Sequence, residues 1–356
     1  MAEKKRVEWI DVAKGIGMLL VVVGHTMTSP VRYASNINYL IYSAVYFFHM
    51  PLMFYLSGRT FGMLKERNVQ YSLKEWTHKK WNTLMVPYLV YGTLVYLIFS
   101  MANAIPKLGK ILSNEGYGKQ SLLHWIKGMV TVYGDDLYSF HLWYIYGLFL
   151  MSIVSFLVMK YCKKHMWILF IVSLLLIGSR SVYYNISNWG IANLFFKNYF
   201  WFVLGTYVDL SKFAKKMWGK IYAILAVVYM WIFIVDFHSY RIEVPSLLLE
   251  MIKWIADVGL LIGCIYIAIL LKGTLKRFFT YTGQNSYGIY LFHQPFFASG
   301  CGTILFKVVG LPVGVAIVIT FALCYIVPLF IIKLLDTKYL SFLKPYFLGT
   351  PRKKRV

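Results

Sequence analysis

The stretch WIDVAKGIGMLLVVVGH, Trp9 to His25, decides how this chain is read. Between Lys14 and His25 lie ten residues, none of them charged or strongly polar. Such a run opens a membrane-spanning helix, and here it carries an ionisable group at each end. Eleven positions at ~3.6 residues per turn make close to three full turns, so Lys14 and His25 point to nearly the same side, ~16 Å apart along the axis. Asp11, one turn before Lys14, shares that face and can pair with the lysine. A carboxylate, an ammonium and an imidazole therefore lie along one stripe. Ionisable groups inside a membrane are costly and usually face a protein interior or a water-filled cavity. The plainer alternative puts Asp11 and Lys14 at the headgroup level and makes His25 a hydrogen-bonded core residue. The three together favour a working site.

The composition agrees with a membrane protein. Of 356 residues, 59% are hydrophobic and 14% charged, where a soluble domain has about 25% charged. Mean hydropathy is +0.60, and apolar runs of about 20 residues recur, which marks an all-α polytopic membrane bundle. Ten spans are predicted, at 11–29, 38–63, 83–101, 139–159, 166–183, 191–209, 220–236, 251–271, 287–306 and 313–334. The formal charge of +23 falls in short blocks between these runs, which excludes nucleic acid as the natural partner. Lys and Arg in alternate connections outnumber those on the opposite side by more than two to one, so both termini are expected in the cytoplasm. The basic tail, about 335–356 and ending in PRKKRV, then reads as an anchor to anionic lipid headgroups. The first run lacks a small-residue cleavage site and is expected to stay as a helix. Asn185-Ile186-Ser187 reads as a chance match to a glycosylation acceptor. Cys162, Cys264, Cys301 and Cys324 show no metal or redox spacing.

No repeat or separate soluble domain is visible, so residues 1–356 are read as one domain. The longest outer connection, about 102–138, contains NEGYGKQS, Trp125 and Asp135-Asp136. Loops of that length tend to be lids or binding loops.

Four histidines fall in or beside apolar segments: His25, His49, His141 and His293. A neutral imidazole can take a proton near pH 7, which suits general-base work on a hydroxyl. Taken singly, the last three also read as structural. His49 in FHMPLMFYLSG sits beside Pro51 and can bond a carbonyl freed by the proline; His141 in SFHLWYIY lies at an aromatic interface; His293 precedes Gln294-Pro295. No pair has the spacing of metal ligands on one helix, so no metal is expected. Ser57 reads as a packing or substrate-contact residue rather than a nucleophile. Arg59 and Lys14 make the inner mouth basic and fit to attract a phosphorylated ligand, although charge asymmetry across the membrane accounts for them equally well.

These motifs resemble the acyltransferase-3 family of integral-membrane acyltransferases, and within it the fucose 4-O-acetylase-like sugar O-acetyltransferases. Lys14 and His25 match the family's signature of a basic residue, ten residues, then histidine. FHMPLMFYLSG, HLWY and SYGIYLFHQP resemble its second, middle and late helix motifs. The resemblance implies an acyl-CoA donor, acetyl-CoA for this branch, bound from the cytoplasm without a resident cofactor. It implies a glycan or lipid-linked sugar as acceptor, and a bacterial plasma membrane as location. It makes His25 the catalytic histidine and puts Lys14 in the place of the usual arginine, with Asp11 in front of it expected as a second catalytic residue. Lys14, His49, Ser57, Arg59, His141, Trp143 and His293 are then the expected donor or acceptor contacts. Lysine lacks arginine's bidentate fork; no appended esterase-like domain is expected, and outer loops or a partner are then expected to capture the acceptor. The rival expectation is a permease for a small substrate such as an amino acid, using the same buried charges as its pathway.

Overall fold

The computed structural model describes residues 7–132, 137–162, 166–178, 190–239 and 246–350, and among these every regular element is helical. In chain order, α1 is Glu8–Thr26, α2 Ser29–Arg32, α3 Asn36–Met63, α4 Lys65–Asn68 and α5 Leu73–Lys80. A π-helical turn, Trp81–Met85, leads into α6 (Val86–Ala104), followed by α7 (Pro106–Asn114) and α8 (Leu122–Thr131). A 3-10 turn, Phe140–Leu142, starts α9 (Trp143–Tyr161); then come α10 (Met166–Gly178), α11 (Gly190–Tyr207), α12 (Ser211–Ala214) and α13 (Met217–Ser239). The chain continues with α14 (Ser246–Leu270), α15 (Gly273–Gln284), α16 (Ser286–Phe292), α17 (Val313–Asp336) and α18 (Lys344–Leu348). It forms two compact units, Met1–Leu64 with Trp201–Leu329, and Lys65–Phe200 with Phe330–Val356.

Seven helical stretches among the described residues are long and apolar enough to cross a membrane: Glu8–Thr26, Asn36–Met63, Leu73–Ala104, Phe140–Tyr161, Met217–Val235, Met251–Leu270 and Val313–Asp336. The other three expected spans take different forms. Residues 166–183 give only the 13-residue α10 within the described part. The 191–209 segment is a continuous 18-residue helix, Gly190–Tyr207, that carries the polar residues Asn193, Lys197 and Asn198. The 287–306 segment breaks into α16 and two π-helical turns, Phe296–Cys301 and Ile304–Val308, around Pro295. The expected long loop at 102–138 is also different, because Pro106 starts α7 and Ser121 caps α8 by accepting from the His124 amide at 3.2 Å. Asp135-Asp136, Arg180, the Asn185 acceptor, Arg241, the basic residues before Val7, Lys163, Lys164 and the PRKKRV tail lie outside the described residues.

In the first unit, α1 and α15 meet with almost no side chain between them. A Cβ on Gly15 would lie 2.0 Å from the Phe279 carbonyl oxygen, and one on Gly283 1.8 Å from that of Asp11. Small residues that let backbones touch are the usual basis of helix pairing in lipid. This contact fixes the stripe face of α1. Glu8 and Asp11 in the first turn also suit the positive end of the helix dipole.

Pro51 lies inside α3 and cannot donate to the Phe47 carbonyl one turn earlier. Lys253 Nζ from α14 takes that carbonyl at 2.7 Å and pairs with buried Asp257 at 2.8 Å. The carbonyl freed by the proline is therefore satisfied by Lys253; His49 Nδ1 bonds the Val45 carbonyl instead, at 2.7 Å. Around this point Phe47, Ala226, Met230, Ile234, Ala256 and Leu260 form a core. In the second unit the core centres on Trp76, which stacks on Phe156 with centroids 5.1 Å apart and donates to the Ser152 carbonyl.

Candidate functional site

The site is built on the C-terminal half of α1. His25 is half-buried there, and its Nδ1 lies 2.7 Å from Nε2 of His293, the residue that ends α16. The two rings stack at 4.9 Å with 16° between their planes. His293 is completely buried, and its own Nδ1 lies 2.7 Å from the Tyr290 carbonyl oxygen. A carbonyl only accepts, so His293 carries its proton on Nδ1 and presents a lone pair at Nε2. His25 must then donate from Nδ1, which puts its own basic lone pair on Nε2. The carbonyl, the first imidazole and the second thus form a relay that assigns one tautomer to each ring.

His49 is buried one helix away on α3. Its Nδ1–H donates to Val45, so its lone pair is also on Nε2. Tyr46 lies between the two histidines, edge-on to His49 at 4.8 Å and to His25 at 6.3 Å. The structure therefore brings His25 and His49 to Tyr46, and His293 against His25, in the first unit.

The other end of the stripe is held differently. Asp11 is buried and Lys14 half-buried. Lys14 Nζ donates to Thr60 Oγ1 at 3.1 Å, and that hydroxyl donates to the Leu56 carbonyl. Ser57 Oγ donates to the Met53 carbonyl one turn back at 2.8 Å. Arg59 forms an ion pair with Asp209 at 2.7 Å. Asp209 in turn accepts from the Ser211 amide and hydroxyl, and Tyr55 ties the same turn down by donating to the Val208 carbonyl and accepting from the Leu210 amide. Asp209 and Thr60 are partners that the sequence did not single out.

His141 and Trp143 belong to the second unit. His141 is buried in the 3-10 turn, edge-on to Tyr91 at 6.1 Å. Trp143 opens α9, edge-on to Tyr144 at 6.4 Å. Among the described residues no three His, Cys, Asp or Glu side chains converge on a point where they could hold a metal ion.

A family model described as an acyltransferase domain, acyltransferase-3, matches residues 7–332, which takes in both histidines of the relay and parts of both units. The chain belongs to the acyltransferase-3 family. Membership makes it an acyltransferase, and its apolar helices make it a multi-pass membrane protein. No curated protein and no solved structure matches it significantly.

Proposed function

We propose that this acyltransferase-3 member moves an acetyl group from cytoplasmic acetyl-CoA to a hydroxyl of a cell-surface or lipid-linked glycan, as in the fucose 4-O-acetylase-like branch. The observation that carries this reading is the relay from the Tyr290 carbonyl through His293 to His25. It presents the His25 lone pair at Nε2, on a side chain that is half-exposed rather than sealed. The acceptor hydroxyl gives its proton to Nε2 as its oxygen attacks the thioester carbonyl carbon. The tetrahedral intermediate then expels the CoA thiolate as the C–S bond breaks, and the imidazolium returns the proton to sulfur. Charge on His25 strengthens its bond to His293, so the pair favours the transition state over the ground state. His293 acts here as a positioning residue.

Lys14 lies ~16 Å along the helix from His25, a distance over which CoA can extend with its phosphates at the lysine. Asp11 orients that lysine, and Arg59, held by Asp209, borders the same mouth. Within the first unit His49 and Ser57 are proposed as donor or acceptor contacts, and within the second unit His141 and Trp143. The placement of basic residues supports cytoplasmic termini in a bacterial plasma membrane. Counting α10, α11 and the broken 286–308 segment gives ten passes. The pair of Lys253 with buried Asp257 is the feature a permease would use, but it is engaged at the Phe47 carbonyl.

The test is incubation of purified chain with acetyl-labelled acetyl-CoA and candidate glycans. Label should appear as an alkali-labile ester on the sugar. Solute uptake by vesicles carrying the protein, with no acetyl-CoA consumed, would overturn the proposal.

A further inference from the structure

An aromatic ladder runs away from His25 on the side opposite Lys14. Arg32 at the end of α2 places its guanidinium 3.5 Å from the centroid of Tyr42 and 5.6 Å from that of Tyr33. Tyr42 stacks on Tyr46 at 4.1 Å, and Tyr46 meets His25 and His49 as described above. The spacing Tyr39, Tyr42, Tyr46, His49 follows one face of α3. Asn38 fixes the arrangement by donating to the Val31 carbonyl at 2.8 Å, which ties α2 against α3.

Interface tyrosines are ordinary in membrane proteins. Two observations set these apart. Tyr46 remains 39% exposed although it touches both histidines, and Tyr33 is 69% exposed. Arg32 has no carboxylate partner among the described residues, and its Nε is buried without a hydrogen bond. A guanidinium stacked flat on a ring keeps its edge donors for a planar or tetrahedral anion. Tyrosine rings offer an apolar face with a polar rim, which matches the two sides of a sugar ring.

We infer that Arg32, Tyr42 and Tyr46 form the acceptor subsite, and that the glycan they receive carries an anionic group, either a uronate carboxylate or a glycosyl phosphate. Arg32 holds the anion, and Tyr46 places the hydroxyl-bearing ring against His25. This rests on the acyl-transfer reading above.

The experiment measures binding to the full chain in detergent of three probes: a glucuronate-containing disaccharide, a polyprenyl phosphoglucose and the matched neutral disaccharide. Wild type should prefer at least one anionic probe, and which one it prefers names the source of the anion. Arg32→Gln should weaken that probe by about tenfold or more and leave the neutral one unchanged. Arg32→Lys keeps the charge and should keep part of the preference, whereas Tyr46→Ala should weaken both classes. The ratio of anionic to neutral binding within one preparation is independent of its folded fraction. Equal binding of all probes by wild type, no binding of any, or an unchanged ratio in Arg32→Gln overturns the subsite. Acetyl-CoA binding is read on the same samples: anionic preference without acetyl-CoA binding would sink the acyl-transfer reading alone, and acetyl-CoA binding without anionic preference the subsite alone.

Discussion

Replacing His293 with Phe keeps an aromatic ring in a fully buried position and removes the acceptor that lies 2.7 Å from His25 Nδ1. An ordinary hydrogen bond contributes ~0.5–1.5 kcal/mol and one to a charged group ~1.5–3. The difference, on the order of 1–1.5 kcal/mol, is gained only as His25 becomes charged, so it belongs to the transition state and amounts to about tenfold in kcat. Loss of the fixed tautomer and ring orientation adds to this, so kcat should fall by about 10- to 100-fold. KM for acetyl-CoA should stay near wild type, since Lys14 and Thr60 are untouched. His293→Gln retains a carbonyl oxygen able to accept from Nδ1–H and should recover most of the loss. The assay is steady-state acetyl transfer per mole of folded protein, with yield from size-exclusion chromatography. Wild-type kcat in the Phe variant would refute the relay. Equal loss in Phe and Gln together with loss of folded yield would make His293 purely structural.

Three further expectations follow from the same geometry. Lys14→Ala should weaken acetyl-CoA binding about tenfold or more while Lys14→Arg keeps it, and Asp11→Asn should be milder than Lys14→Ala; equal affinity in wild type and Lys14→Ala in a titration would remove Lys14 from that role. Lys253→Met leaves buried Asp257 and the Phe47 carbonyl without their described partner, so it should cost about 3–5 kcal/mol in detergent unfolding, with Lys253→Met/Asp257→Leu recovering part of it; an unchanged midpoint in the single variant would contradict that account. Tags at both termini should be reachable only from the cytoplasm, and labelling of either from outside intact cells would reverse the orientation.

The helical class and the stripe on α1 were legible because both depend on local order: hydropathy in one case, and three turns between Lys14 and His25 in the other. The partners were not. His293 is 268 positions from His25 and Asp209 is 150 from Arg59, and no spacing rule connects residues brought together only by tertiary packing. His293 itself was found by its setting in an apolar run, but as one histidine among four. Pro51 announced a freed carbonyl, yet the donor proved to be Lys253 rather than the neighbouring His49, because His49 already bonds Val45. The ladder from Arg32 to Tyr46 went unnoticed because tyrosines at a membrane interface are so common. The helices within 102–138 were not legible, since their start signals, Pro106 at the first helical position and the Ser121 cap, are weak beside the Gly and Asn residues of that stretch.

The central claim is that His25 takes the acceptor's proton. Its most direct test is acetyl transfer per mole of folded protein for wild type, His25→Ala and His25→Gln. General-base assistance is worth ~10²–10⁴-fold, and glutamine keeps bulk and hydrogen bonding but cannot accept the proton. Both variants should therefore fold, bind acetyl-CoA and lose transfer by that factor. Wild-type turnover in His25→Gln would contradict the account and move the chemistry to another residue.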